Sequence, residues 1–217
     1  MTVTLTAEDR ARFDALVARD LKPYTLVAKD EHFTISEVEQ AILPRERILC
    51  VVFLARSQKK TSYVVAGTGE WILLTGHVDH FNAIAERSAL TASSLDEARA
   101  IARLADTWTT TWEHGQLEIA SFAEIPWRSY LEDRDHKTIE AARVNVGPRI
   151  GPEEQVHENG EYVFTTWVIA HAKLLRRTLG VTESGRFRRG DEIVVPLVPV
   201  PLGRYWTRVD GRLIPTG

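Results

Sequence analysis

Two imidazoles and a carboxylate fall within four residues at His77-Val78-Asp79-His80, directly after Gly76. Histidine exchanges protons near neutrality, and a nearby aspartate can orient it or carry the second proton. His77, Asp79 and His80 are therefore candidate catalytic residues for general acid–base chemistry. The same trio has metal-ligating atoms, but H-E-x-x-H and multi-histidine patterns are absent, so no metal is assigned. The purely structural alternative is a solvated loop in which His77 or Asp79 caps a helix.

A second cluster, Asp133-Arg134-Asp135-His136, alternates in sign as solvated loops do. Folded over a pocket, Asp135 or His136 would be an acid–base partner of the first cluster. Adjacent side chains diverge, so only one of the two would serve.

Basic residues gather at Lys173, Arg176, Arg177, Arg186, Arg188 and Arg189. Successive side chains on a strand point to opposite faces, so only one of Arg176 and Arg177 can line a given pocket. Arg176 is the substrate-binding candidate, because a guanidinium fork matches carboxylate, sulfate or phosphate. The alternative is an exposed sheet face whose arginines pair with the acids between Glu153 and Glu161. Trp112, Trp167 and His171 are the further substrate-binding candidates, set against core packing for the tryptophans.

These groups need elements to hold them. Thr6-Ala7-Glu8-Asp9 and Ser36-Glu37-Val38-Glu39 read as capping boxes, predicting N-terminal helices within 7–43, the second ended by Pro44. Arg47 to Ala55 is almost wholly apolar and predicts a strand buried on both faces. With Thr61–Ala66 and Glu70–Leu74 it makes three antiparallel strands within 47–75. Val78, Phe81, Ile84 and Ala85 predict a short helix. Ser94-Leu95-Asp96-Glu97 then caps a longer one bearing Ala98, Ile101, Ala102, Ala105, Trp108 and Trp112 at helical spacing, so 78–112 is helical. Residues 113–152 read as loop-rich, with a short strand at Ala141–Val146. The β-branched and aromatic run Tyr162–Ile169 opens an antiparallel meander over 160–196, turning at Ala170-His171-Ala172-Lys173. The tail, 197–217, offers a small hairpin.

This order predicts a single α+β domain over 1–217: a curved, mainly antiparallel sheet with helices packed on one face, in the manner of cone-shaped proteins that enclose a pocket. At 217 residues, 44% apolar and 26% charged, the chain can bury a real core. A net charge of −3 argues against nucleic acid. The single cysteine, Cys50, excludes an internal disulfide and reads as a core residue. No membrane span or secretory leader is apparent, so a cytoplasmic protein is expected. Arginine outnumbers lysine, a GC-rich bacterial bias. No dinucleotide, P-loop, hydrolase-elbow or C-x-x-C motif occurs, so no cofactor is implied.

The function expected from these residues is a cofactor-independent cyclase, lyase or isomerase of bacterial specialised metabolism. It would act on a small anionic molecule by histidine and aspartate proton transfer, with an arginine clamp. The alternative is a non-catalytic protein that binds a partner through the arginine hairpin. Such a chain would be a homodimer or a subunit of a hetero-oligomer.

Overall fold

The computed structural model describes residues 3–20, 33–55, 58–110, 116–201, 205–209 and 212–216. They form an α+β protein with four α-helices, an antiparallel sheet of four strands, a second of five and a two-stranded hairpin; neither sheet closes into a barrel. The chain divides into two compact units, Met1–Trp112 with Val181–Phe187, and Glu113–Gly180 with Arg188–Gly217. It crosses between them three times, which explains how two units arise without a Gly-, Ser- or Pro-rich linker.

In the first unit, helix α1 (Ala7–Asp20) begins where the Thr6 hydroxyl accepts a hydrogen bond from the Asp9 amide at 3.1 Å, the expected cap. Strands β1 (Phe33–Glu37), β2 (Arg47–Ala55), β3 (Gln58–Ala66) and β4 (Ile72–Leu73) pair antiparallel in that order. Residues opposite one another share a face. The rows Ile35–Val51–Ser62 and Leu49–Val64–Leu73 pack against Phe13 and Leu16 of α1 and against Trp71. The reverse face carries the row Ser36–Cys50–Tyr63, with buried Ile48 and Val65.

Helices α2 (Val78–Arg87) and α3 (Leu95–Thr109) supply buried apolar side chains in this unit. The α3 residue Trp108 lies 6.3 Å, centroid to centroid, from Tyr63 on that reverse face. Helices therefore cover both faces of this sheet, which corrects the expected one-sided layer. The cause lies in β2, whose Ile48-Leu49 and Val51-Val52 pairs put apolar side chains on each parity. Either face left bare would expose about 1.5–3 kcal/mol of burial per large side chain. Cys50 is half-buried, and burial pushes its thiol up while a hydrogen bond from Ser36 opposes the rise.

Two further expectations for this unit are corrected. No helix forms at 36–43, because Ser36 and Glu37 end β1, paired with Cys50 and Leu49. Gln40 then folds the connection by accepting from the Leu43 amide and donating to its carbonyl, both at 2.7 Å. A strand ladder satisfies the backbone groups that a helix would otherwise have paired. The third strand is two residues long, rather than Glu70–Leu74.

In the second unit, β5 (Leu117–Ile119) and β6 (Glu154–Glu158) both pair with β7 (Glu161–Ala170), which is followed in the sheet by β8 (Lys173–Thr182) and β9 (Phe187–Val195). Two tight turns set its registers. Asn159 and Gly160 have φ of 52° and 74°, and His171 and Ala172 have 52° and 56°. Positive φ at both central positions gives the turn sense that matches strand twist. Among the described backbone, 205–209 and 212–216 form the expected terminal hairpin, β10 (Tyr205–Val209) and β11 (Arg212–Thr216).

The loop-rich reading of 113–152 is corrected by helix α4 (Asp133–Asn145), which also replaces the strand expected at Ala141–Val146. This helix buries only Asp135, Ile139 and Ala142, so its apolar stripe is too sparse to mark the period. No helix of the described residues is long and apolar enough to cross a membrane.

The cap of α3 offers a direct test of local stability. Ser94 accepts from the Glu97 amide at 3.2 Å. S94A should lower stability by about 1 kcal/mol and the melting temperature by about 2–4 °C, measured by thermal denaturation followed by circular dichroism; an unchanged melting curve would remove the cap from the account.

Candidate functional site

His77 sits at the N-cap of α2, and its side chain makes no cap hydrogen bond. Its ring stacks on that of His80, with centroids 4.5 Å apart and planes 21° from parallel. His80 Nδ1 lies 2.7 Å from the Leu73 carbonyl. A carbonyl only accepts, so Nδ1 carries the proton there and Nε2 is left as the basic atom. His77, Asp79 and His80 are all exposed. The pair is oriented, but it stands at the surface.

Asp135 belongs to the second unit and is committed to the start of α4. It accepts from the Glu132 amide at 3.0 Å and from Arg128 at 2.8 Å, in a reciprocal capping box with Glu132. His136 is exposed on the same helix. The structure thus brings His77, Asp79 and His80 together in one unit and Asp135 and His136 together in the other.

Arg176 and Arg177 do point to opposite faces. Arg177 is 4% exposed and holds Asp191 through two bonds of 2.7 and 3.0 Å, together with Gln116. Arg176 lies on the outer face, 3.5 Å from Glu154, and Arg188 binds Glu161 at 2.5 and 2.9 Å. Arg176 and Arg188 thus pair with acids between Glu153 and Glu161, whereas Arg177 is buried against Asp191. Trp167 is 4% exposed in the core beside Ile119 and Leu174, with Arg149 5.8 Å above its ring. His171 is exposed on its turn. Trp112 lies outside the described residues.

A different constellation appears in the first unit. A cleft of about 610 Å³ is lined by Arg12 of α1, Arg45 and Arg47 at the entry to β2, the Gly67-Thr68-Gly69 loop after β3, and Arg87 at the end of α2; Asp9, Glu46 and Glu70 are its acids. Its charges are unequally engaged. Arg87 grips Glu46 with bonds of 3.0 and 2.7 Å, and the Ser88 hydroxyl adds a third at 3.1 Å. Asp9 is shared more loosely, 3.3 Å from Arg47 and 3.8 Å from Arg12. Glu70 is held by Arg19. Among the described residues, Arg45 has no carboxylate partner.

Sequence reasoning passed over this site. Its arginines run from position 12 to position 87 without a spacing rule, and only the β2–β3 register brings Arg47 opposite Ala66 and the glycine loop. The one available signal was Arg45-Glu46-Arg47 beside a strand start, facing a Gly-Thr-Gly turn.

No protein family matches the chain, and neither a curated protein nor a solved structure does.

Arg87, and after it Ser88, holds the Glu46 carboxyl below the ordinary carboxylate value. A carboxyl whose pKa is lowered by folding contributes stability above its unfolded pKa of about 4.3 and loses it as acid titrates the folded value. Urea melts between pH 3 and pH 7 should therefore show a shallower acid-side loss for E46Q than for the parent; superimposable slopes would mean that the pair is thermodynamically silent.

Proposed function

We propose that this protein binds a small anionic molecule in the arginine-lined cleft of its first unit. The observation that supports the reading is the convergence of guanidinium groups from α1, the β2 entry and α2 on one cavity of ligand size, with Arg45 lacking a counter-ion among the described residues. The clamp expected at Arg176 is thereby moved to Arg45 and Arg47, because Arg176 already faces Glu154. Calorimetric titration with small phosphorylated and carboxylated compounds should give saturable binding, weakened about tenfold or more in the R45A/R47A double variant; equal affinity in both proteins would exclude the cleft.

A second reading is cofactor-independent proton transfer of the cyclase, lyase or isomerase kind. It is favoured by the fixed tautomer of His80, whose Nε2 is presented as a base beside His77. His80 and Arg87 are seven residues apart on α2, about 10 Å along its axis. A molecule held in the cleft that Arg87 lines would reach His80 only if it extended along the helix. Once a substrate is found among the bound anions, H80A should lower kcat about 100-fold or more with little effect on KM; parent-like turnover would leave the protein a binder.

A further inference from the structure

Resting on that reading of the cleft, we infer that its ligand group is a dianion of the phosphate monoester kind. Arg12, Arg45 and Arg47 bind it, and it displaces Asp9 as the counter-ion shared by Arg12 and Arg47. The inference comes from how each arginine is held. Arg87 is committed: Glu46 takes both arms of its fork, and Ser88 fixes Glu46 from the other side. Exchanging that carboxylate for a ligand would break three good hydrogen bonds.

Asp9 is the opposite case. It serves two arginines at 3.3 and 3.8 Å, the second beyond hydrogen-bonding distance, and satisfies neither in the bidentate manner a guanidinium prefers. The other acids beside these arginines are Glu8 against Arg12 and Glu37 against Arg47, with side chains 76% and 51% exposed. Water and salt screen both. Set against the one partly buried carboxylate, which holds Arg12 and Arg47 and not Arg45, the three guanidinium groups leave a surplus of two positive charges. A phosphate monoester brings two negative charges near neutral pH and three acceptor oxygens. A carboxylate or sulfate ester brings one charge.

The glycine loop opposite supplies donors of the right kind. Among the described residues, no backbone N–H of Gly67, Thr68 or Gly69 is given to another backbone carbonyl. A Cβ built at Gly69 would meet nothing within 4 Å. Free amides in an open loop beside arginines are what phosphate recognition uses.

The test is calorimetric titration of the full chain at low ionic strength with phenyl phosphate and phenyl sulfate, which share a tetrahedral head and differ by one charge. Phenyl phosphate should bind at least about tenfold more tightly. R45A and R47A should each weaken it about tenfold or more, with R45K and R47K recovering only part because lysine lacks the fork. D9N, which keeps the shape of the side chain and removes its charge, should tighten phenyl phosphate about threefold to tenfold. R87A should cost at least threefold less than R47A, and circular dichroism of each variant confirms that the protein compared is folded.

If phenyl phosphate binds but D9N weakens it, if phenyl sulfate matches it, or if R87A is the most damaging change, the dianion assignment is overturned while the cleft stands as an anion site. Absence of binding by both probes to the parent and to D9N overturns the cleft reading and the inference with it.

Discussion

The register between β2 and β3 is the constraint on which the first unit depends. Nine consecutive pairs, from Arg47 opposite Ala66 to Ala55 opposite Gln58, fix which β2 side chains face α1 and which face Trp108. A slip of one residue would exchange the two faces, sending Leu49, Val51 and Phe53 to the side now held by Cys50 and Val52. Burial prevents it: Leu49 and Val51 are fully buried and Phe53 is 1% exposed. The same register carries the first residue of β2, Arg47, to the end of the sheet where the chain leaves β3 for its glycine loop. The core thus locates a polar cleft without contributing a side chain chemistry to it.

What the cleft can do follows from competition between resident and incoming anions. A guanidinium in water loses little by exchanging one carboxylate for another, since exposed ion pairs are worth about 0–1 kcal/mol. Selectivity must come from geometry and charge count. Arg87 has geometry on the side of its resident partner, and Arg45 has no resident carboxylate among the described residues. Arg12 and Arg47 fall between, sharing an aspartate held near the start of α1 by chain connectivity rather than by its hydrogen bonds. On the proposed reading, such a site is partly neutralised when empty and favours a ligand of higher charge than its resident carboxylate.

Much of the fold was legible because local signals and burial agree. Ser94 and Thr6 cap the helices they precede, β2 matches its apolar run, β3 ends where expected but starts three residues early at Gln58, and the aromatic run after Gly160 is β7. Disagreement begins where tertiary pairing overrides propensity. Ser36-Glu37-Val38-Glu39 has the letters of a capping box, yet Ile35 and Phe33 before it are apolar on alternate positions and bind β2. The β6 sequence Glu-Gln-Val-His-Glu is polar and wholly exposed, so only Asn159-Gly160 announced its hairpin. The candidate histidines were legible as a cluster, and their exposure matches the solvated alternative read for them. The cleft was illegible because its residues meet only in three dimensions.

The arginines singled out in the sequence and those that line the cleft differ in how they are engaged, and the reason is physical. On the β7–β8–β9 surface Arg176 lies by Glu154, Arg177 holds Asp191 and Arg188 holds Glu161. A Cβ placed on Gly180 would lie 2.2 Å from that carboxylate and 2.7 Å from Arg188 Nε, so the pair occupies the space above a glycine that cannot grow a side chain. Arg177, 4% exposed, would leave an uncompensated buried charge if Asp191 were drawn away, and that penalty exceeds what a solvated ligand returns. These cations hold strands together. In the first unit the cleft's guanidinium groups come instead from a helix, a strand start and a helix end, so no single ladder pairs each of them with an acid.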